Sequence, residues 1–282
     1  MVDKRPYQAH TDSAVGANSN RSSPIGVFDS GMGGLSVLRE IHRLLPHENL
    51  IYIADSKHAP YGDRSTQHVK KRSQKIAIFL LEKNIKILVV ACNTATAIAV
   101  EILRQQLPIP VIGLEPAIKP GVKMSKTGVI GVLATQRTIE SQRLHGLTLQ
   151  YAPHTKVLAQ ACPGLVEKVE ANHLNHYDTK QLIKQYTQPL LQQNADTIIL
   201  GCTHYPFLHQ TISKIVGNDI QLIDTGKPVA QQLQRVLQQN GLSISSEKKG
   251  VISFYNSSNC KHHTNTMQQL WHEKVDVKLL TV

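Results

Sequence analysis

Short apolar runs alternate along this chain with longer stretches whose apolar residues recur at helical spacing. Ile25–Phe28, Leu50–Ala54, Ile87–Ala91, Pro110–Gly113, Val129–Leu133, Val157–Gln160, Thr197–Leu200, Gln221–Ile223, Val251–Tyr255 and Val275–Leu279 predict strands. Between them, Gly34–Leu45, Arg64–Lys83, Ala95–Gln106, Thr179–Gln193 and Pro228–Gln239 predict amphipathic helices. Strands that alternate with helices of this length are the pattern of crossover units. The pattern therefore predicts right-handed βαβ units and an α/β fold of mostly parallel sheets flanked by helices.

The pattern occurs twice. Pro24–Gly31 reads PIGVFDSG and Val129–Thr135 reads VIGVLAT, and each opens a series of strands that ends near a cysteine. Lys86–Ala97, KILVVACNTATA, and Asp196–Phe207, DTIILGCTHYPF, both run from an apolar strand through a small residue into a cysteine and then what reads as a helix start. Asp224-Thr225-Gly226 repeats the outline of Asp29-Ser30-Gly31. A duplication into two similar domains related by a pseudo-twofold axis accounts for these echoes. Pro-containing Glu115–Lys126 and the segment Asp224–Pro228 are the expected crossing points. The expected division is a polar extension over 1–23, a first α/β domain over 24–117 plus 226–282, and a second over 118–225. Sites in such folds lie at the carboxyl ends of the strands, so an active site between the domains would hold both cysteines.

Composition narrows the class. A hydrophobic content of 41% in 282 residues supports two ordinary cores in a soluble protein. No apolar run is long enough to cross a bilayer, and the N-terminal 1–23 segment lacks the apolar stretch of a signal peptide. A cytoplasmic location with reduced thiols is the expectation, with no membrane partner. The net charge of +11 favours anionic metabolites or nucleic acid. Its one dense cluster, Lys70, Lys71, Arg72 and Lys75, reads as a solvated helix face, and 5% aromatic residues leave little for base stacking. Nucleic acid is therefore not expected as a primary partner.

Candidate chemistry centres on Cys92 and Cys202, which lie 110 residues apart. A lone cysteine is usually a small buried hydrophobe. Here each stands at a strand–helix junction among hydrogen-bonding groups, Asn93 and Thr94 in one repeat, Thr203 and His204 in the other, where a helix N-terminus favours a thiolate. Two equivalent bases facing one substrate is the geometry a racemase needs. His204 is placed to activate Cys202. Asp29-Ser30-Gly31-Met32-Gly33-Gly34 follows a strand and opens a helix; it lacks both phosphate-loop spacings, and an acidic residue at the turn would repel phosphate. Its amides and Ser30 suit a carboxylate, leaving Asp29 free to hold an ammonium group or assist a base. Pro60-Tyr61-Gly62 reads as a turn, and Glu167 and Glu170 as a helix face. Cys162 and Cys260 read as structural; Cys260 with His262 and His263 is too sparse for a metal site, and no metal is expected.

DSGMGGLSV, PYG, ACNTATA, IGLEPAIKP and LGCTHYP, in this order, resemble the glutamate racemases of the aspartate/glutamate racemase superfamily over about Ile25–Gly226. The polar extension and EPAIKP linker are similar to the proteobacterial branch. The resemblance implies cofactor-independent interconversion of L- and D-glutamate, with D-glutamate feeding peptidoglycan synthesis. It implies that Cys202 takes the α-proton from L-glutamate and Cys92 from D-glutamate. Asp29 with Ser30, Tyr61 with Gly62, Asn93 with Thr94, and Thr203 with His204 match the family's substrate-contacting pairs. Glu170 holds the place of a family glutamate in a segment that departs from the family pattern, with Glu167 nearby. Some members of that branch are activated by UDP-N-acetylmuramoyl-alanine, and the same is carried as an expectation; a monomer and a homodimer both stay open. The alternatives are a racemase of another acidic amino acid such as aspartate, and a non-catalytic protein binding a small anion.

Overall fold

The computed structural model describes residues 21–259 and 261–282. Nearly all of the 1–23 extension, and Cys260, lie outside the described residues. All ten predicted strands are present. β1 (Ile25–Asp29), β2 (Leu50–Ala54), β3 (Ile87–Val90) and β4 (Val111–Gly113) join β9 (Ile252–Asn256) and β10 (Val277–Leu279) in a sheet of order β10-β9-β2-β1-β3-β4. β5 (Val129–Ala134), β6 (Lys156–Ala161), β7 (Thr197–Leu200) and β8 (Gln221–Ile223) form a second sheet of order β6-β5-β7-β8. Every pairing is parallel.

The second sheet repeats the β2-β1-β3-β4 portion of the first, and the registers agree. Ile25 pairs with Ile87, and Ile130 with Thr197. Matching those pairs places Ser30 on Thr135, Cys92 on Cys202 and Thr94 on His204. The winding reverses direction between β1 and β3 in the first sheet and between β5 and β7 in the second, and the carboxyl ends there form the crevice where such folds bind ligands.

Alternate residues of the central strands serve different cores, which is why the sequence shows no polar alternation. Val27, Ile87 and Val89 pack with Leu35, Leu38 and Ile41 of α1 (Leu35–Leu44). Phe28, Leu88 and Val90 pack with Ile76 and Leu80 of α2 (Thr66–Glu82) and with Leu103 of α3 (Asn93–Gln106). Beyond the second sheet, α10 (Gly226–Gln239) returns to pack on α1 of the first.

The segment read only as a crossing point contains a helix, α4 (Ile118–Met124). Pro120 falls in its first turn, where a missing N–H removes no intrahelical bond. Helices α5 (Gln136–Ile139), α6 (Gln142–Tyr151), α9 (His209–Val216) and α11 (Lys261–Trp271) were not among the predicted set. α6 carries Gly146 and α11 opens on weak helix formers; buried Met267, Leu270 and Trp271 hold α11 by packing rather than by propensity. α7 (Leu165–Glu170) and α8 (Tyr177–Leu191) complete the set. No described helix is long and apolar enough to cross a membrane.

Candidate active site

Cys92 and Cys202 each stand two residues beyond their strand, β3 and β7, and line one cavity between the two sheets. Ser30, Tyr61, Gly62, Asn93, Thr94, Thr203 and His204 also line it. The cavity is small, with about 10 Å³ of space for the centre of a water molecule, the room at which a single water just fits.

The two cysteines are alike in position and unlike in chemistry. Cys92 caps α3, its sulfur accepting from Ala95 N–H at 3.4 Å. Its S–H points to Ser30 Oγ at 3.6 Å, and Ser30 Oγ donates to Asp29 Oδ1 at 3.3 Å. Burial, and then the charge of Asp29, push the Cys92 thiol well above its ordinary range, against the pull of the Ala95 amide and Ser30. Cys92 is held protonated. The helix expected directly behind Cys202 is instead a 3₁₀ turn, Tyr205–Leu208, with α9 starting only at His209. Pro206 sits in that turn, and no helix N-terminus reaches the Cys202 sulfur.

What Cys202 has is an imidazole. Its sulfur lies 3.7 Å from His204 Nδ1, and His204 Nε2 lies 2.7 Å from Glu170 Oε1. A carboxylate only accepts, so the 2.7 Å contact places a proton on Nε2; Gly33 N–H, 3.2 Å from the same nitrogen, is the weaker contact. Burial works against an imidazolium here, but the hydrogen bonds to Cys202 and Glu170 outweigh it and hold His204 well above its ordinary value. Each thiol is thus backed by a hydrogen-bonding group and then a carboxylate: Ser30 and Asp29 behind Cys92, His204 and Glu170 behind Cys202.

The glycines of the Asp29–Gly34 loop follow from this arrangement. A Cβ on Gly31 would collide with the Glu170 carboxylate, and one on Gly33 with the His204 ring. The loop has no side chain there because the other domain's titratable pair lies against it. Glu170 also accepts from Met32 N at 2.6 Å, and Ser36 Oγ donates to Thr203 O at 2.9 Å, so this loop is a main joint between the domains.

Asp29 is not free. It is wholly buried behind Ser30 and does not line the cavity. Its Oδ1 accepts from Ser30 N at 2.7 Å and its Oδ2 from Gly34 N at 2.6 Å and Thr203 Oγ1 at 3.2 Å. Burial raises its carboxyl above the ordinary value, with the His204 charge and these amides acting in the opposite sense. Asn93 is the reverse case: both atoms of its buried amide lack a partner within the described residues. The carboxylate that pairs with His204 is Glu170, while Glu167 lines an outer recess of about 240 Å³ with Glu170, Pro60, His262 and His263. Among the described residues no group of three or more His, Cys, Asp or Glu side chains is placed to hold a metal ion.

Sequence reasoning missed two features. Thr135 and Thr138 of the second domain form a hydroxyl triangle with Thr94, at 2.9, 3.0 and 3.4 Å, and Thr135 lines the cavity. Aligning VIGVLAT with PIGVFDS would have found Thr135 beneath Ser30. Asp55, just past β2, is fully buried and held by Arg72, which leaves the presumed basic surface cluster for the interior.

The sequence profile described as Asp/Glu/Hydantoin racemase matches residues 25–233. A glutamate racemase of Methylococcus capsulatus is 46% identical over 248 residues, 88% of this chain and 92% of that protein. The crystal structure of a glutamate racemase isoform, RacE1, from Bacillus anthracis superimposes with a TM-score of 0.84 at 35% identity, over 93% of this chain and 98% of that one. Escherichia coli glutamate racemase, solved in complex with L-glutamate and activator UDP-MurNAc-Ala, gives a TM-score of 0.80 at 28% identity, over 92% and 99%.

Proposed function

The chain belongs to the Asp/Glu/Hydantoin racemase family and is an amino-acid racemase, and on that footing we propose that it interconverts L- and D-glutamate by proton transfer between Cys202 and Cys92. The observation that supports this reading is the pair of thiols lining one cavity, each with its own carboxylate-backed partner. The α-proton of an amino acid is far less acidic than a thiol, so one sulfur must be charged while the other holds a proton ready on the opposite face.

Removal from L-glutamate is assigned to Cys202, as the family resemblance implies. Cys202 passes its proton to His204, whose imidazolium Glu170 stabilises, and the thiolate then takes the α-proton. Cys92, kept protonated by burial and Asp29, delivers its proton to the other face. D-glutamate reacts with the two sulfurs in exchanged states. Ser30, the Tyr61–Gly62 turn, Asn93, Thr94 and Thr203 bind the substrate's carboxylates and ammonium. The unpartnered Asn93 amide supports this, since a buried polar group left without a partner is unfavourable until a ligand supplies one. Donors aimed at the α-carboxylate in a closed site stabilise the charge that develops as Cα loses its proton. Asp29 acts from behind Ser30 rather than on the substrate. The small cavity supports a site that widens to admit glutamate.

We assign the reaction to the cytoplasm, as the source of D-glutamate for peptidoglycan, with no cofactor required. Activation by UDP-N-acetylmuramoyl-alanine is carried over from the E. coli enzyme. The test is circular dichroism or chiral chromatography of L-glutamate incubated with pure protein, with and without that precursor, and with L-aspartate in parallel. Glutamate should racemise, and Cys92→Ala and Cys202→Ala should each abolish it. No interconversion under any of these conditions would falsify the reading, and faster turnover of aspartate would redirect it.

A further inference from the structure

The Tyr61–Gly62 turn lines the cavity, and the Tyr61 hydroxyl is taken up by Asp55. Tyr61 is 1% exposed, and its hydroxyl donates to Asp55 Oδ2 at 2.6 Å. Asp55 lies at the carboxyl end of β2, beside Asp29 at the end of β1, and is completely buried. The Arg72 guanidinium, reaching in from α2, grips both of its oxygens: Nη2 to Oδ1 at 2.7 Å and Nε to Oδ2 at 3.0 Å. Its remaining arm, Nη1, donates to the carbonyl of Val282 at 2.8 Å. That carbonyl belongs to the segment after β10, anchored by buried Leu280 and by Leu280 N–H to Asn256 O.

The geometry points to Arg72 as a positioning residue for the racemase site, acting through Asp55 to fix the turn that presents Gly62 to the substrate. The assignment rests on the substrate reading above and adds to it a residue that touches neither substrate nor thiol. The turn is short, Tyr61–Asp63, and follows Pro60, so its backbone has few bonds of its own to hold it. Gly62 lies against Thr135 of the second domain closely enough that a Cβ would meet the Thr135 side chain at 2.8 Å. A turn displaced by even a fraction of an ångström therefore disturbs both the substrate wall and the closed interdomain contact. Only a planar fork can meet both Asp55 oxygens and a third acceptor together; an ammonium is a single point of charge. Without Arg72, Asp55 would be a buried carboxylate whose remaining strong donor is the Tyr61 hydroxyl, and it would draw the ring rather than steady it.

The test is steady-state kinetics on Arg72→Lys, Arg72→Met and Tyr61→Phe and on the double variant Arg72→Met with Tyr61→Phe, each checked for folding by far-UV circular dichroism. Tyr61→Phe and Arg72→Met should each raise KM for glutamate on the order of tenfold, the size of one lost hydrogen bond to a buried charge, with a smaller change in kcat. Arg72→Lys should recover part of the loss. The double variant should be no worse than the more damaging single variant, because both act through Asp55. If Arg72→Met does not fold, Tyr61→Phe and Arg72→Lys decide the matter alone. Variants that lose thermal stability while keeping KM and kcat within about twofold, or effects of the two substitutions that simply multiply, overturn the assignment. Wild-type protein run alongside separates this outcome from failure of the substrate reading: if the wild type does not racemise glutamate, the substrate reading fails first.

Discussion

Glu170→Gln keeps the outline of the side chain and the acceptor for Met32 N–H, and removes only the charge. In the native site, Oε1 lies 2.7 Å from His204 Nε2 and 2.6 Å from Met32 N. A hydrogen bond to a charged group contributes roughly 1.5–3 kcal/mol, against roughly 0.5–1.5 for a neutral pair. The substitution should therefore cost the imidazolium about 1.4 kcal/mol, equivalent to about one pKa unit and a tenfold population. His204 is held well above its ordinary value partly by Glu170, so losing the carboxylate lowers it. The alkaline limb of kcat/KM, where the imidazolium is lost, should move about one pH unit toward acid, with rates above that limb about tenfold lower. The enantiomers have equal free energy in water, so kcat/KM must fall by the same factor in both directions. Stability follows with a fixed sign. A raised imidazole value contributes stability that is full below its unfolded value near 6.5 and disappears as pH rises through the folded value. In the variant the contribution should be smaller and its loss complete at lower pH, as read by urea denaturation across the range. An unmoved alkaline limb and a kcat/KM within twofold of wild type would refute the Cys202–His204–Glu170 chain as the source of the thiolate.

Gly33→Ala places a methyl against the His204 ring, and should lower kcat on the order of a hundredfold by moving the imidazole off Cys202. It should also lower stability by about 1–3 kcal/mol, the usual cost of overpacking; native-like activity would mean that His204 is dispensable. Asn93→Ala removes two buried polar atoms with no partner in the protein. It should raise KM about tenfold while leaving the melting temperature unchanged or higher, and a fall in stability without a change in KM would count against Asn93 as a substrate ligand.

The strands and the duplication were legible because they are carried by local pattern. Apolar runs such as Ile87–Val90 fill two cores at once, and the ACNTATA and GCTHYP echoes preserve the register in which Cys92 and Cys202 superimpose. What the echoes concealed was the difference between the cysteines. Pro206 and the 3₁₀ turn replace a helix N-terminus behind Cys202, and whether a segment of that composition forms an α-helix is settled by packing. Arg72 could not be told from Lys70, Lys71 and Lys75 in one dimension. On α2 it turns inward because Asp55, 17 residues earlier and just past β2, lies beneath it. Asp29 appeared free because its donors Gly34 N and Thr203 Oγ1 are brought to it only by the closed loop and the second domain. Helix α11 was missed because its helical period is weak and its hold is tertiary.

The central claim is that two distinct thiols work on opposite faces of Cα, and it is tested most directly by isotope exchange. L-Glutamate should be incubated with the enzyme in D₂O, the reaction stopped within the first few per cent of conversion, and the enantiomers separated for mass analysis. If Cys202 removes the proton and Cys92 delivers from the solvent-exchanged side, the D-glutamate formed carries deuterium at Cα. The recovered L-glutamate stays largely unlabelled, because the sulfur that took its proton tends to return the same one. Deuterium in recovered L-glutamate equal to that in the product would contradict the account, since a single exchanging base would then serve both faces.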